Sequence, residues 1–219
     1  MIFLLTISNG TQDYQPLFDG KTLNNWEIID YNGHGDVFVN DSSIIINKGR
    51  VISGIRWTED FPKTNYEITF YAKRIDGNDF FCGLTFPVNE SYLTLVLGGW
   101  GGSLSGLSCI DGGDAAHNST QINYYFGKGW WWDVRLRVTD GKVEAWVEQE
   151  KFIDFTIGNS QLSLRSEVES SVPFGITTYQ TTGAIRDIKL RILSHPGEGL
   201  WKGVIPRGNI EYPQPAIDL

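Results

Sequence analysis

The sequence predicts an all-β domain, a jelly-roll sandwich of two antiparallel sheets. Three observations predict it. About a dozen short runs rich in Val, Ile, Thr, Tyr, Phe and Trp recur along the chain. Turn residues separate most of them. Stretches that favour a helix are scarce, and the 219 residues include 25 glycines and a single methionine. A chain of this length routinely forms one sandwich and buries a core without disulfides or metal.

The elements follow in order. Residues 1–14 open with the apolar run Ile2-Phe-Leu-Leu-Thr-Ile7, which reads as a clipped signal remnant or a first strand. The sandwich is expected over residues 15–194. Asp19-Gly20 marks a turn. Strand-like runs then cover 37–39, 43–47, 66–74, 80–86, 92–97, 105–110, 122–126, 132–138, 143–148, 152–156, 174–179 and 185–193. Asp76-Gly77, Gly98-Gly99, Gly112-Gly113 and Asp140-Gly141 break them. One helical turn is expected near 160–165. Residues 195–219 hold four of the eight prolines and read as an extended tail able to cover a sheet edge.

Charge narrows the function. The net charge is −8 and the pI about 4.9. No basic stripe suits nucleic acid, and an anionic membrane surface is an equally poor partner. No run approaches the ~20 apolar residues of a membrane span. A neutral saccharide is compatible with this balance. Cys82 and Cys109 form no CxxC pair; they are free and buried or joined in one disulfide, and the sequence leaves both open. With histidines only at 34, 117 and 195, and no GxSxG elbow, a nucleophilic triad has no support.

One hairpin can be registered from its residues. Trp132-Asp-Val-Arg-Leu-Arg-Val138 and Val143-Glu-Ala-Trp-Val-Glu148 both alternate apolar and polar. Asp140-Gly141 between them suits a two-residue type I′ turn. Val138, Leu136 and Val134 then oppose Val143, Ala145 and Val147 on the core face. The other face sets Arg137 opposite Glu144, Arg135 opposite Trp146, and Asp133 opposite Glu148. This face reads as a solvated surface stitched by salt bridges or as the floor of a sugar groove, because sugars take aromatic faces and paired polar groups. The Asp133–Glu148 pair has the form of a two-carboxylate hydrolase, but Trp146 stands where that pattern wants an acid.

Further candidates lie in loops. Asp111, Asp114 and His117 could ligate a divalent metal, but their polar, glycine-containing loop reads first as a surface turn whose Asp residues cap backbone amides. No cofactor is expected otherwise. Gly98-Gly-Trp100-Gly-Gly102 offers a tryptophan plate on a backbone that can approach a ligand. Tyr179 and Gln180, closing the run 174–179, are added as sugar-holding candidates. Asp76-Gly-Asn-Asp79 reads as a hairpin turn, with calcium the lesser alternative because the EF-hand spacing is missing.

The phrase Leu17-Phe-Asp-Gly-Lys-Thr-Leu-Asn-Asn-Trp26 resembles the opening of the 3-keto-disaccharide hydrolase-like family. The resemblance continues through Thr64-Asn-Tyr-Glu-Ile68, Asp79-Phe-Phe-Cys-Gly-Leu-Thr-Phe-Pro87, Gly98-Gly-Trp100, Gly106-Leu-Ser-Cys-Ile-Asp-Gly112, Glu144-Ala-Trp146 and Phe174-Gly-Ile-Thr-Thr178. It covers roughly 15–193 and is similar to a subgroup common in planctomycete-type bacteria. It implies a concanavalin A-like sandwich, secreted or periplasmic, acting on glycosides oxidised to a ketone at C3. Such a ketone acidifies the C2 proton, so a base removes it and the C1 substituent leaves. That chemistry needs a base and a stabiliser for the enolate. On the hairpin, Glu148 or Glu144 would be the base, Arg135 or Arg137 the stabiliser, and Asp133 and Trp146 would hold the sugar. A non-catalytic carbohydrate-binding module is the alternative.

Overall fold

The structure, a computed structural model, describes residues 13–193. The run 2–7 and the tail 195–219 lie outside the described residues. Fifteen strands follow one another among the described residues. They are β1 Gln15–Pro16, β2 Trp26–Ile28, β3 Val37–Asn40, β4 Ser43–Ile46, β5 Ile52–Trp57, β6 Tyr66–Asp76, β7 Cys82–Val88, β8 Ser91–Gly99, β9 Leu104–Ser108, β10 Ile122–Asn123, β11 Trp131–Thr139, β12 Lys142–Val147, β13 Glu150–Thr156, β14 Gly175–Tyr179 and β15 Thr182–Ile192. A 3₁₀ helix, Ser166–Ser171, precedes β14. No helix among the described residues is long and apolar enough to cross a membrane.

The strands form two antiparallel sheets, as the alternating patterns require. One runs β13-β12-β11-β6-β15-β4-β3, with β1 beside β15; the other runs β10-β9-β8-β7-β14-β5-β2. The late strands β14 and β15 thus lie inside the two sheets, between strands formed much earlier in the chain. Period-2 alternation turns Tyr66, Ile68, Phe70 and Ala72 of β6 and Val134, Leu136 and Val138 of β11 inward. They meet Leu84 and Phe86 of β7, Leu93, Leu95 and Leu97 of β8, and Ile176 of β14 in one core. The opening phrase is structural: Asp19 Oδ1 accepts from the amides of Lys21 and Thr22, and Trp26 Nε1 donates to the Leu17 carbonyl at 2.9 Å. Cys82 and Cys109 are both free and buried.

Two local expectations are corrected. The β11–β12 register matches residue for residue from Val134↔Val147 to Thr139↔Lys142. The turn is not type I′, however, because neither Asp140 nor Gly141 takes a positive φ. Side chains from elsewhere hold it: Thr64 Oγ1 and Asn65 Nδ2 donate to Asp140 Oδ1 at 2.9 and 3.1 Å. The helical turn lies after 160–165, not within it, since Ser163 exchanges backbone hydrogen bonds with Cys109 and pulls that stretch into an extended bridge. The strands β1, β2 and β5 carry no expectation from sequence. Gly54 breaks the apolar run of β5, and it is needed because a Cβ there would lie 2.7 Å from the Ile176 carbonyl.

Candidate functional site

The two outer faces of the sandwich differ sharply. On the β11–β12 sheet the charged residues form a closed network. Arg137 and Glu144 are both buried, and Arg137 Nε donates to Glu144 Oε2 at 2.8 Å. Lys151 of β13 donates to the other oxygen of Glu144 at 2.7 Å and reaches Asp154 at 3.2 Å. Burial opposes ionisation of Glu144, yet the hydrogen bonds from Lys151 and Arg137 outweigh it and hold its pKa below the usual glutamate range. Beside them Glu67 of β6, fully buried, pairs with Arg191 at 3.0 Å and accepts a short hydrogen bond from Tyr14. Trp146 does not present a bare plate. Arg135 lies 3.8 Å from its ring centroid, and Lys151 and Arg137 lie at 5.1 and 5.5 Å. Cations occupy the surface that a sugar would stack on.

Asp133 and Glu148 sit at the end of this face. Glu148 Oε1 accepts from the Asp133 amide at 3.0 Å. Burial, then the Glu148 charge, raise the Asp133 pKa, with Arg135 pulling the other way. Across β6, Tyr71 is registered with both Asp133 and Arg186, and Arg186 lies over Trp131 at 4.2 Å.

The outer face of the other sheet carries a groove of about 290 Å³, near the lower end of the usual range for small-ligand sites. Its floor is Thr94 and Val96 of β8, Ser108 of β9, Tyr179 of β14 and Ile52 of β5. Phe80 lies over Gly83, where a Cβ would come 3.0 Å from its ring, and packs 5.8 Å from Tyr179. One wall is Trp100, 42% exposed; among the described residues no other ring or cation packs on it. The opposite wall is the 3₁₀ helix. A chain of buried hydroxyls seats it: Ser171 Oγ donates to Thr85 Oγ1 at 2.8 Å, which is 3.0 Å from Thr94 Oγ1.

That seating brings Arg165, Glu167 and Val168 to the groove. Arg165 Nη1 donates to Asp114 Oδ2 at 2.9 Å and Nη2 to Glu167 Oε1 at 2.8 Å. Glu167 raises the Arg165 pKa, and Arg165 in turn lowers that of Glu167, so the pair stays charged. Asp114 also holds His117 Nδ1 at 2.6 Å through Oδ1, whereas Asp111 Oδ1 accepts from the Gln161 amide. A guanidinium therefore takes the place on Asp114 that a bound cation would need. Asp79 lines the groove beside Phe80; its Oδ1 accepts from the Phe80 amide at 2.8 Å, and Oδ2 accepts no hydrogen bond among the described residues.

The stretch from residue 13 to 191 matches the 3-keto-alpha-glucoside-1,2-lyase-like domain. The chain belongs to that family. A comparison with curated proteins returned no match. Among solved structures, this lyase-like domain resembles a Parabacteroides distasonis ATCC 8503 protein with a provisional assignment as a glycosyl hydrolase, at 17% identity and TM-score 0.53, over 82% of this chain and 94% of that one. It also resembles the Bacillus subtilis carbohydrate-binding module CBM66, at 11% identity and TM-score 0.52, over 76% and 95% of the two chains. The exoplasmic/lumenal domain of VIP36, in a form bound to Ca²⁺ and Man3GlcNAc, matches at 10% identity and TM-score 0.56, over 84% and 92%. At such identities the likeness establishes the fold alone, a concanavalin A-like sandwich of the kind used by carbohydrate-binding and hydrolase domains.

The structure brings the sequence-nominated residues into separate places. Trp100 and Tyr179 share the groove of the lyase-like domain. Glu144, Glu148, Arg135, Arg137, Asp133 and Trp146 lie together on the opposite sheet. Gln180 turns away, its Nε2 donating to the Arg50 carbonyl at 3.3 Å. Asp114 reaches the groove through Arg165, and His117 follows it. Sequence reasoning missed Ile52, Phe80, Arg165 and Glu167 and took Asp79 for a turn residue. Only Asp79-Phe80 lay within a phrase of the family resemblance; nothing local marks Arg165.

Proposed function

We propose that the groove binds a neutral saccharide and cleaves glycosides carrying a ketone at C3. Asp79 takes the C2 proton, the electron pair moves into an enolate on the C3 oxygen, and the C1–O bond then breaks to leave an unsaturated ketone while the departing oxygen takes the proton back from Asp79 and leaves as the alcohol. Arg165, fixed between Asp114 and Glu167, faces the developing oxyanion as a preorganised cation. Trp100 and Tyr179 supply the flat apolar faces that a pyranose stacks on. The observation that carries this reading is the meeting of an uncovered aromatic wall and a held guanidinium in one groove. The β11–β12 face supports it less well: Glu144 is stabilised as a carboxylate by two cations, which weakens it as a base, and Trp146 is covered.

The test compares a C3-keto glycoside with its unoxidised parent. Turnover of the keto compound alone, lost in Asp79→Asn and Arg165→Ala and kept in Glu148→Gln and Arg135→Ala, supports the groove. The reverse pattern moves the chemistry to the hairpin. One observation favours a second reading, a binding module: Glu167 is locked to Arg165 and its pKa is lowered rather than raised toward neutrality. Saccharide binding without turnover in the same assay selects it. An extracytoplasmic setting belongs to the same proposal, and fractionation of the producing cell checks it.

A further inference from the structure

Arg74 breaks the pattern of its strand. In β6 the inward positions run Tyr66, Ile68, Phe70, Ala72 and then Arg74, so a cation stands where alternation calls for an apolar residue. It is 5% exposed and, among the described residues, makes no ion pair. Burying a charge this way is unfavourable unless the protein surrounds it with acceptors. The acceptors are carbonyls from the opposite sheet and the loops beside it. Nη1 donates to Phe126 O at 3.0 Å, and Nη2 donates to Gly98 O and Gly102 O at 2.9 and 2.8 Å, with Asp79 O at 3.4 Å. The guanidinium also lies 5.1 Å from the Phe81 ring centroid.

Three of these carbonyls adjoin a wall of the groove, and the fourth, Phe126 O, lies in the core. Gly98 and Gly102 bracket Trp100, which holds φ +47, and Asp79 lines the same cavity. Gly98 has φ +68, and a Cβ there would fall far inside van der Waals contact with Arg74 Nη2. A Cβ at Gly102 would lie 3.3 Å from Nη1. Gly98 and Gly102 therefore leave room for an internal cation beneath the turn that carries Trp100. The Arg74 carbonyl in turn accepts from the Gly129 amide at 2.8 Å, next to Trp130.

We propose that Arg74 is the positioning residue of the groove: its guanidinium, reaching through the end of the core, fixes the turn that carries Trp100 and the carbonyl of Asp79. Its importance to catalysis rests on the function proposed above; its grip on Trp100 does not. Lysine cannot replace it, because a single ammonium lacks the planar fork that serves separate carbonyls.

The experiment uses the full chain labelled with 5-fluorotryptophan. Its eight tryptophans give eight fluorine signals, and Trp100→Phe identifies that of Trp100. In Arg74→Lys the Trp100 signal is expected to move toward the solvent-exposed position while those of buried Trp26 and Trp57 stay in place. Ile176→Val, a core change that lowers the melting point, should leave Trp100 unmoved. Should Arg74→Lys not fold, Gly98→Ala addresses the same contact from the turn side and should displace the same signal. An unmoved Trp100 signal in whichever variant folds overturns the proposal. With the keto glycoside, Arg74→Lys is expected to raise KM about tenfold or more. If the wild type turns over no keto glycoside but Trp100 still moves, the function proposed above fails and the positioning role stands.

Discussion

Replacing Glu144 by glutamine tests whether the charged face of the β11–β12 sheet is structural. Its side chain is 5% exposed, and it accepts from Arg137 at 2.8 Å and from Lys151 at 2.7 Å. Removing one partner of a buried ion pair costs about 3–5 kcal/mol, because the remaining charge stays out of water. Here the Lys151 side chain is 37% exposed and keeps Asp154, so its share is small, on the order of 0.5 kcal/mol. The lower end of the range, about 3 kcal/mol, is the better estimate for Glu144→Gln. In a domain of this size each kcal/mol shifts the melting temperature by about 2–4 °C, so a fall of about 6–12 °C is expected. Glu148→Gln keeps the oxygen that accepts from Asp133 N, lies on the surface, and should melt within about 2 °C of the parent. Differential scanning calorimetry, with urea denaturation to check the slope, reads both. Glu144→Gln melting with the parent would refute the reasoning and return Glu144 to the list of reactive groups.

Acid should unfold the domain between about pH 4 and 2. A hydrogen bond from Lys48 helps bring the Asp76 pKa down to about 2, and Glu144, Asp154 and Glu167 are also lowered, so each stabilises the fold above its unfolded pKa and loses that contribution as pH falls through the folded one. Asp133, raised by burial, works the other way, and a urea midpoint higher at pH 3 than at pH 7 would show it dominates. Trp100→Ala should weaken saccharide binding by about 10- to 100-fold with little change in melting, by calorimetric titration. Chelator treatment, and readdition of calcium or zinc, should leave the melting temperature unchanged, because Arg165 already occupies Asp114; a rise of several degrees with either ion would restore the Asp111–His117 loop as a metal site. Ser42→Gly should stabilise by about 1 kcal/mol, since Asp41 and Ser42 both hold positive φ in the β3–β4 turn, and thermal melts read it.

The hairpin was legible because its signal is local. Alternation fixed which side chains share a face, and a two-residue turn set the register, although the turn type was not the one its residues favour. Arg137 opposite Glu144 could be read this way. Their burial could not, because Glu67 comes from β6, distant in the chain, and the β12–β13 pairing that brings Lys151 and Asp154 shifts register between Ala145 and Trp146. The groove was harder still. Trp100 stood out between glycines, but Ile52, Phe80 and Arg165 acquire meaning only when β5, β7 and the 3₁₀ helix converge. Arg74 closes the run read as 66–74 and does not stand out in it; its discord shows only when the inward phase of Tyr66, Ile68, Phe70 and Ala72 is carried two residues further.

The placement of β14 and β15 has a biosynthetic consequence. β14 lies between β7 and β5, and β15 between β6 and β4. Until residue 179 leaves the ribosome both sheets are split, four strands from two, and the nascent chain offers four unpaired edges at once; the sheet that takes β15 stays split until residue 192 follows. Completion is a late, long-range event, and the interval before it is when a holdase-type chaperone has most to protect. A stop codon just before β14 would leave both sheets in two pieces each, prone to aggregate rather than a shortened but working domain.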